Sequence, residues 1–168
     1  MSQQQMEMTR SKLRRLLVVA GVVLALDQAT KILILNYFPL YHTVSVFPGF
    51  FNLTHIHNPG GAFGVLSGSP SLARHVFFLL ASSAALVVVL FLYFKTPGRY
   101  RLLSAGLALI FGGALGNLTD RIRLGKVVDF LDFYIRSFHW PAFNIADSAI
   151  SIGMVVFVYH LLMGNLPE

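Results

Sequence analysis

The chain has 168 residues, a mean hydropathy of +0.67 and only 12% charged residues, against roughly 25% in a soluble domain, so residues 1–168 read as one integral-membrane unit rather than a soluble or two-domain protein. Its net charge of +6 does not indicate nucleic acid, because the cations cluster at the ends of apolar runs and no groove-reading or base-stacking motif accompanies them. Cysteine is absent, which excludes disulfides, thiolate nucleophiles and Cys-based metal sites.

A membrane span needs roughly 20 apolar residues, and lipid admits only helices or closed barrels, so the long apolar segments are expected as helices. Residues 2–7 are polar and read as disordered. Arg10, Lys12, Arg14 and Arg15 then precede the first span, at about 16–38, which Asp27, Gln28 and Lys31 interrupt. Asp27 and Lys31 stand i, i+4 on one helix face, a spacing that suits a structural ion pair; direct participation in chemistry is the other reading. The basic start and apolar centre have the look of a signal peptide. An Ala-x-Ala-like site is missing, however, and hydrophobicity resumes at residues 32–35, so the segment reads as a retained helix.

Residues 39–73 contain no Lys and no Arg. Thr43–Phe47 and residues 50–56 are rich in β-branched and aromatic residues, and Pro48-Gly49 between them signals a turn, so a small hairpin is expected. His55 and His57 alternate on the second strand and share a face, but a metal site would want a third ligand and none is evident. Asn58-Pro59-Gly60-Gly61 is a second turn, and residues 62–66 read as a short interfacial helix.

The second span, at about 75–94, is the cleanest, and Lys95, Arg99 and Arg101 follow it. The third, at about 102–118, is short and rich in Gly and Ala; Gly112 and Gly116 form a small-xxx-small pair that lets helices approach. Asn117, Asp120 and Arg121 are expected as a polar cluster at its outer end, where a solvated helix terminus explains Asp120 and Arg121 as readily as function does. The fourth span covers about 146–163. Basic flanks place both termini and the loop after the second span in the cytoplasm, and residues 39–73 outside. Arg121, Arg123, Lys126 and Arg136 then lie outside, against the usual bias.

Asp129, in Val127-Val128-Asp129-Phe130-Leu131, and Asp147, at the mouth of the last apolar run, stand out among only 7 acidic residues. A carboxylate in or near lipid costs on the order of 3 kcal/mol, which makes it a functional candidate. Two carboxylates held close cannot both ionise cheaply, so one keeps a proton while the other acts as a base. The plainer reading makes Asp147 an N-cap and Asp129 a loop residue paired with Lys or Arg. Two rival functions fit a chain of this kind. A proton-coupled transporter or channel subunit would use Asp27, Lys31, Asp129 and Asp147 as a relay. A membrane scaffold would leave both aspartates unexplained.

Five motifs carry a resemblance: Asp27-Gln28-Ala29-Thr30-Lys31; Asn58-Pro59-Gly60-Gly61-Ala62-Phe63; Gly112-Gly113-Ala114-Leu115-Gly116-Asn117 through Asp120-Arg121; Gly125-Lys126-Val127-Val128-Asp129-Phe130; and Phe143-Asn144-Ile145-Ala146-Asp147-Ser148. In this order the chain resembles the lipoprotein signal peptidases, the bacterial signal peptidase II family. The resemblance implies an all-α integral membrane protein of four spanning helices with a small extracytoplasmic β-cradle. It also implies an aspartyl endopeptidase of the inner membrane that needs no cofactor and no metal. Such an enzyme cuts prolipoproteins just before a diacylglyceryl-modified cysteine, amid membrane lipids, and globomycin inhibits it. Asp129 and Asp147 would be the catalytic pair. Asn117 and Asn144 would orient it, Asn58 and Arg121 would hold substrate backbone, and Asp27, Lys31 and Asp120 would be structural.

Overall fold

The computed structural model describes residues 3–60 and 72–163. Among these, four helices are long and apolar enough to cross a membrane: α1 (Gln3–Tyr37), α2 (Leu72–Lys95), α3 (Arg101–Leu124) and α4 (Ile145–Leu162). The protein is a multi-pass membrane protein. Large apolar side chains such as Leu17, Leu80, Val87 and Val155 point outward, which is favourable in lipid. The polar groups are concentrated between the helices instead. Residues 3–7, expected to be disordered, begin α1.

α3 is the central helix and packs against the other three. Its glycines allow this. A Cβ on Gly112 would come within 2.8 Å of the Ala20 backbone in α1, and one on Gly116 within 2.6 Å of Asp27 Oδ2. α3 also runs past the expected end at residue 118. Asn117, Asp120 and Arg121 therefore lie within the helix, not at a solvated terminus, and Asp120 is only 2% exposed. Their hydrogen bonds and ion pairs, described below, let the helix continue where hydropathy falls.

The two connections on the same side of the bundle form one antiparallel sheet, in the order β1 (Thr43–Phe47), β2 (Phe51–Asn58), β3 (Val127–Ile135) and β4 (Phe138–His139). The expected hairpin is β1–β2, turning at Gly49, whose φ of 85° suits glycine. β3 and β4 were not foreseen. They bring the segment between α3 and α4 onto the hairpin, with Asp129 opposite Ile56. Phe51, Phe133 and Phe143 stack in series, at 4.7 and 5.8 Å between centroids. Val128 and Phe130 pack with Ile34 near the end of α1, which anchors the sheet to the bundle. Residues 62–66, expected as an interfacial helix, lie outside the described residues.

Candidate active site

Asn144 organises the site. It is fully buried and extended, with φ −135° and ψ −175°, and it is the N-cap of α4. Its Oδ1 accepts from the Asp147 N–H at 2.9 Å, while Asp147 Oδ2 accepts from the Asn144 N–H at 3.3 Å. This is a capping box, so Asp147 occupies the third helical position and not the N-cap that the plainer reading gave it. The same Asn144 side chain donates through Nδ2 to Asp129 Oδ1 at 2.7 Å and to the Val128 carbonyl at 3.2 Å. One residue thus touches both carboxylates, Asp129 through its side-chain NH₂ and Asp147 through its backbone N–H.

Asp129 is not a loop residue paired with a cation. It lies in β3, is 3% exposed, and is hydrogen-bonded by Asn144 and by the Asn58 side chain. Burial, then the nearby Asp147 carboxylate, push the Asp129 carboxyl up to about 7. The Asn58 and Asn144 bonds and the Lys31 charge oppose the rise without cancelling it. Asp147 accepts a further bond from Asn117 Nδ2 at 2.8 Å.

These side chains open on a cavity of about 540 Å³. Asp129, Asp147, Asn58, Asn117 and Arg121 form its polar wall, and Trp140, Pro141, Ala142, Phe143, Ile150 and Ile152 contribute to the rest. Arg121 reaches the Gly60 carbonyl at 3.4 Å and lies over the Phe78 ring at 5.6 Å.

Asp27, Lys31 and Asp120 sit behind this wall. Lys31 Nζ is 2.9 Å from both Asp27 Oδ2 and Asp120 Oδ2, and donates to Asn117 Oδ1 at 3.0 Å. Gln28, to which no role was assigned from sequence, donates to both carboxylates. The Val128 N–H donates to Asp120, and the Ala146 N–H to Asp27. The ion pair legible on α1 is therefore part of a larger cluster joining α1, α3, β3 and α4.

His55 and His57 do share a face, with Nε2 atoms 3.0 Å apart, and His55 Nδ1 is 2.7 Å from the Phe38 carbonyl. Burial, then the charge of Lys126, lower the His57 imidazole to about 4, so it is neutral at physiological pH. Among the described residues no group of three His, Cys, Asp or Glu side chains is placed to hold a metal ion.

The wall from Trp140 to Phe143 was missed from sequence. Its signal was an aromatic-proline stretch just ahead of an Asn-x-x-Asp helix start.

Fold and site together define a class, the polytopic membrane peptidase of aspartic type. The chain belongs to the signal peptidase II family, whose family model, described as signal peptidase (SPase) II, matches residues 19–163. It is 54% identical over 161 residues to a lipoprotein signal peptidase of Desulforapulum autotrophicum, covering 96% of this chain and 99% of that one. It is 49% identical over 146 residues to the protein of the same description in Syntrophus aciditrophicus, covering 87% and 91%. Among solved structures it is similar to a bacterial membrane enzyme determined by the in meso method. That match has a TM-score of 0.79 and 34% identity, over 88% of this chain and 87% of the other.

Proposed function

We propose that the chain removes signal peptides from diacylglyceryl-modified prolipoproteins, cutting just before the lipidated cysteine, with Asp129 and Asp147 as the catalytic pair. Family membership supports the substrate class. The observation that carries the chemistry is Asn144 bonded to both carboxylates, to Asp129 by its side-chain NH₂ and to Asp147 by its backbone N–H, at the edge of one cavity.

In this reading the pair holds one proton, on Asp129. Asp147 is the base, because a helix N-terminus and the Asn117 N–H favour an anion there. Asp147 takes a proton from water as the water oxygen bonds to the scissile carbonyl carbon. Asp129 donates its proton to the carbonyl oxygen. As the C–N bond of the resulting gem-diol breaks, Asp147 gives its proton to the leaving amine of the new N-terminal cysteine and Asp129 takes one back from a diol hydroxyl, which leaves the signal peptide's carboxylic acid and restores the pair. Asn58 and Arg121 hold substrate backbone in the cavity. The apolar wall receives the membrane-embedded substrate, and globomycin competes for the same space. No metal and no cofactor takes part.

The protein lies in the bacterial inner membrane with both termini cytoplasmic and the sheet and cavity at the outer face. The transporter reading is not favoured, since Asp27 and Lys31 bond to each other and to neighbouring groups and the family is a peptidase family.

The test is cleavage of a prolipoprotein by the purified protein in detergent. The lipidated form should be cut before its cysteine, the unlipidated form cut far more slowly, and globomycin should block the former. Equal cleavage of both forms would overturn the substrate assignment.

A further inference from the structure

The two asparagines that hold the carboxylates are fixed in different ways. An amide can present either its carbonyl oxygen or its NH₂, and partners of known polarity decide which. For Asn144 the partners are backbone: the Asp147 N–H can only donate and the Val128 carbonyl can only accept. Its orientation is therefore set by the fold. Asn117 has no such backbone pair on its side chain among the described hydrogen bonds. Its Nδ2 faces a carboxylate oxygen of Asp147, and its Oδ1 faces Lys31 Nζ at 3.0 Å and Asn144 Nδ2 at 3.2 Å. Asn144 Nδ2 has two hydrogens and closer business with Asp129 at 2.7 Å. Asn144 Nδ2 can only donate as well, but it divides its two hydrogens among Asp129, the Val128 carbonyl and Asn117 Oδ1, so Lys31 is the nearer and less divided donor to Asn117 Oδ1.

We propose that Lys31 is a positioning residue of the cleavage reaction: its ammonium fixes which way the Asn117 amide faces and so presents an N–H, not a carbonyl oxygen, to Asp147. The inference rests on Asp129 and Asp147 being the catalytic pair, and it goes beyond the structural role that the i, i+4 spacing suggests. Asp27 and Asp120, each 2.9 Å from Nζ, hold the ammonium in place. The cluster is almost fully closed to solvent, with Lys31 1% exposed and Asp27 0%. Gln28 completes it by donating to both carboxylates. Charge held on α1 is thereby converted into the polarity of one hydrogen bond at the reacting pair.

The test uses the full chain in detergent with a lipidated prolipoprotein. Lys31→Met removes the donor. A second variant, Asp27→Asn, Lys31→Met and Asp120→Asn together, removes the charges as well and keeps the protein assessable if the single variant does not fold. With the amide free to turn, kcat should fall roughly 10²-fold, since small misplacements of reacting groups have effects of that size, while KM stays near wild type. The pH–rate profile should move to higher pH by about one unit, because a carboxylate that loses an N–H donor holds its proton more tightly. Loss of the Lys31 charge also raises the Asp129 carboxyl directly, and the Asn117→Ala background separates the two effects, because the direct charge effect on the profile persists there and the effect through the amide does not. In an Asn117→Ala background the same Lys31 substitution should have little further effect on kcat.

A folded Lys31 variant with wild-type kcat and pH profile, or an undiminished loss in the Asn117→Ala background, overturns the proposal. Asp129→Asn and Asp147→Asn are measured in parallel. If they are inactive while the Lys31 variants are normal, only this inference fails. If they turn over normally, the catalytic pair fails and this inference with it.

Discussion

The Asp27 carboxylate in α1 accepts a hydrogen bond from the backbone N–H of Ala146 at 2.9 Å, across 119 positions of sequence. Ala146 lies in the first turn of α4, the turn that carries Asp147. An acidic side chain of the first helix thus serves an N–H group that the last helix leaves without an intrahelical partner. Asp27→Ala should therefore destabilise the protein strongly. It removes that acceptor and one of the two carboxylates that pair with buried Lys31. Breaking a buried ion pair costs about 3–5 kcal/mol. Folded yield and Tm in detergent should both drop, and a wild-type Tm would contradict the role given to Asp27.

Asp129→Asn and Asp147→Asn should each abolish cleavage while the protein still inserts and retains some globomycin binding. Asn keeps the shape but cannot exchange a proton with water. General acid–base catalysis alone is worth roughly 10²–10⁴ in rate. The double variant should be little worse than either single one, because the residues act as a unit. Near-normal turnover by either single variant would remove the aspartyl mechanism.

The raised Asp129 group makes stability pH-dependent in a definite direction. Its carboxyl rises from 3.8 to about 7 on folding, so between those values the folded protein holds a proton that the unfolded chain has lost. This contribution to stability falls as pH rises through the window. His57, lowered to about 4, has the opposite slope below its ordinary value. Comparing wild type with Asp129→Asn cancels that term. The Tm of the variant should gain on wild type between about pH 4 and 7 and then level off; a constant difference across the range would count against the buried, protonated Asp129.

Gly116→Ala tests the close approach of α3 to α1. Its Cβ would lie 2.6 Å from Asp27 Oδ2 and 3.3 Å from the Ala146 Cβ. Asp27 would have to leave Lys31 and the Ala146 N–H, or the helices would have to part. Overpacking of this kind typically costs about 1–3 kcal/mol, with loss of activity alongside the drop in Tm. An unchanged Tm would mean that the helices separate freely there.

Orientation is open to direct labelling because the chain has no cysteine. Ser45 lies exposed in β1, so Ser45→Cys should react with a membrane-impermeant thiol reagent added from outside. Reaction only from the cytoplasmic side would invert the proposed topology.

The spans were legible because hydropathy alone reports them, and β1–β2 because Pro48-Gly49 separates two β-branched runs. The end of α3 was not. Asn117, Asp120 and Arg121 lower the hydropathy, yet Asn117 and Asp120 are buried through bonds to Lys31 and Asp147, partners that are distant in sequence. β3 was hidden differently. Val127–Ile135 has a strand-like composition, but next to apolar spans it read as a membrane flank, and its pairing with β2 is a long-range fact. The carboxylates themselves were visible from their rarity and their apolar neighbours. Asn144, which joins them through its side chain to Asp129 and its backbone N–H to Asp147, was visible only as part of a family motif, since its double contact depends on the sheet and α4 meeting.

That meeting has a consequence for biogenesis. Asp129 is presented by its register with β2, where it stands opposite Ile56, and Asp147 by the first turn of α4. A slip of one residue between β2 and β3 would turn Asp129 to the opposite face of the sheet. The pair comes together only after the strands flanking α2 and α3 have reached the same side and α4 has docked. A chain still emerging into the bilayer carries two isolated acids and cannot attack the nascent proteins inserting beside it. With Asp129 and Asp147 as the proposed catalytic pair, cleavage is withheld until membrane integration is complete.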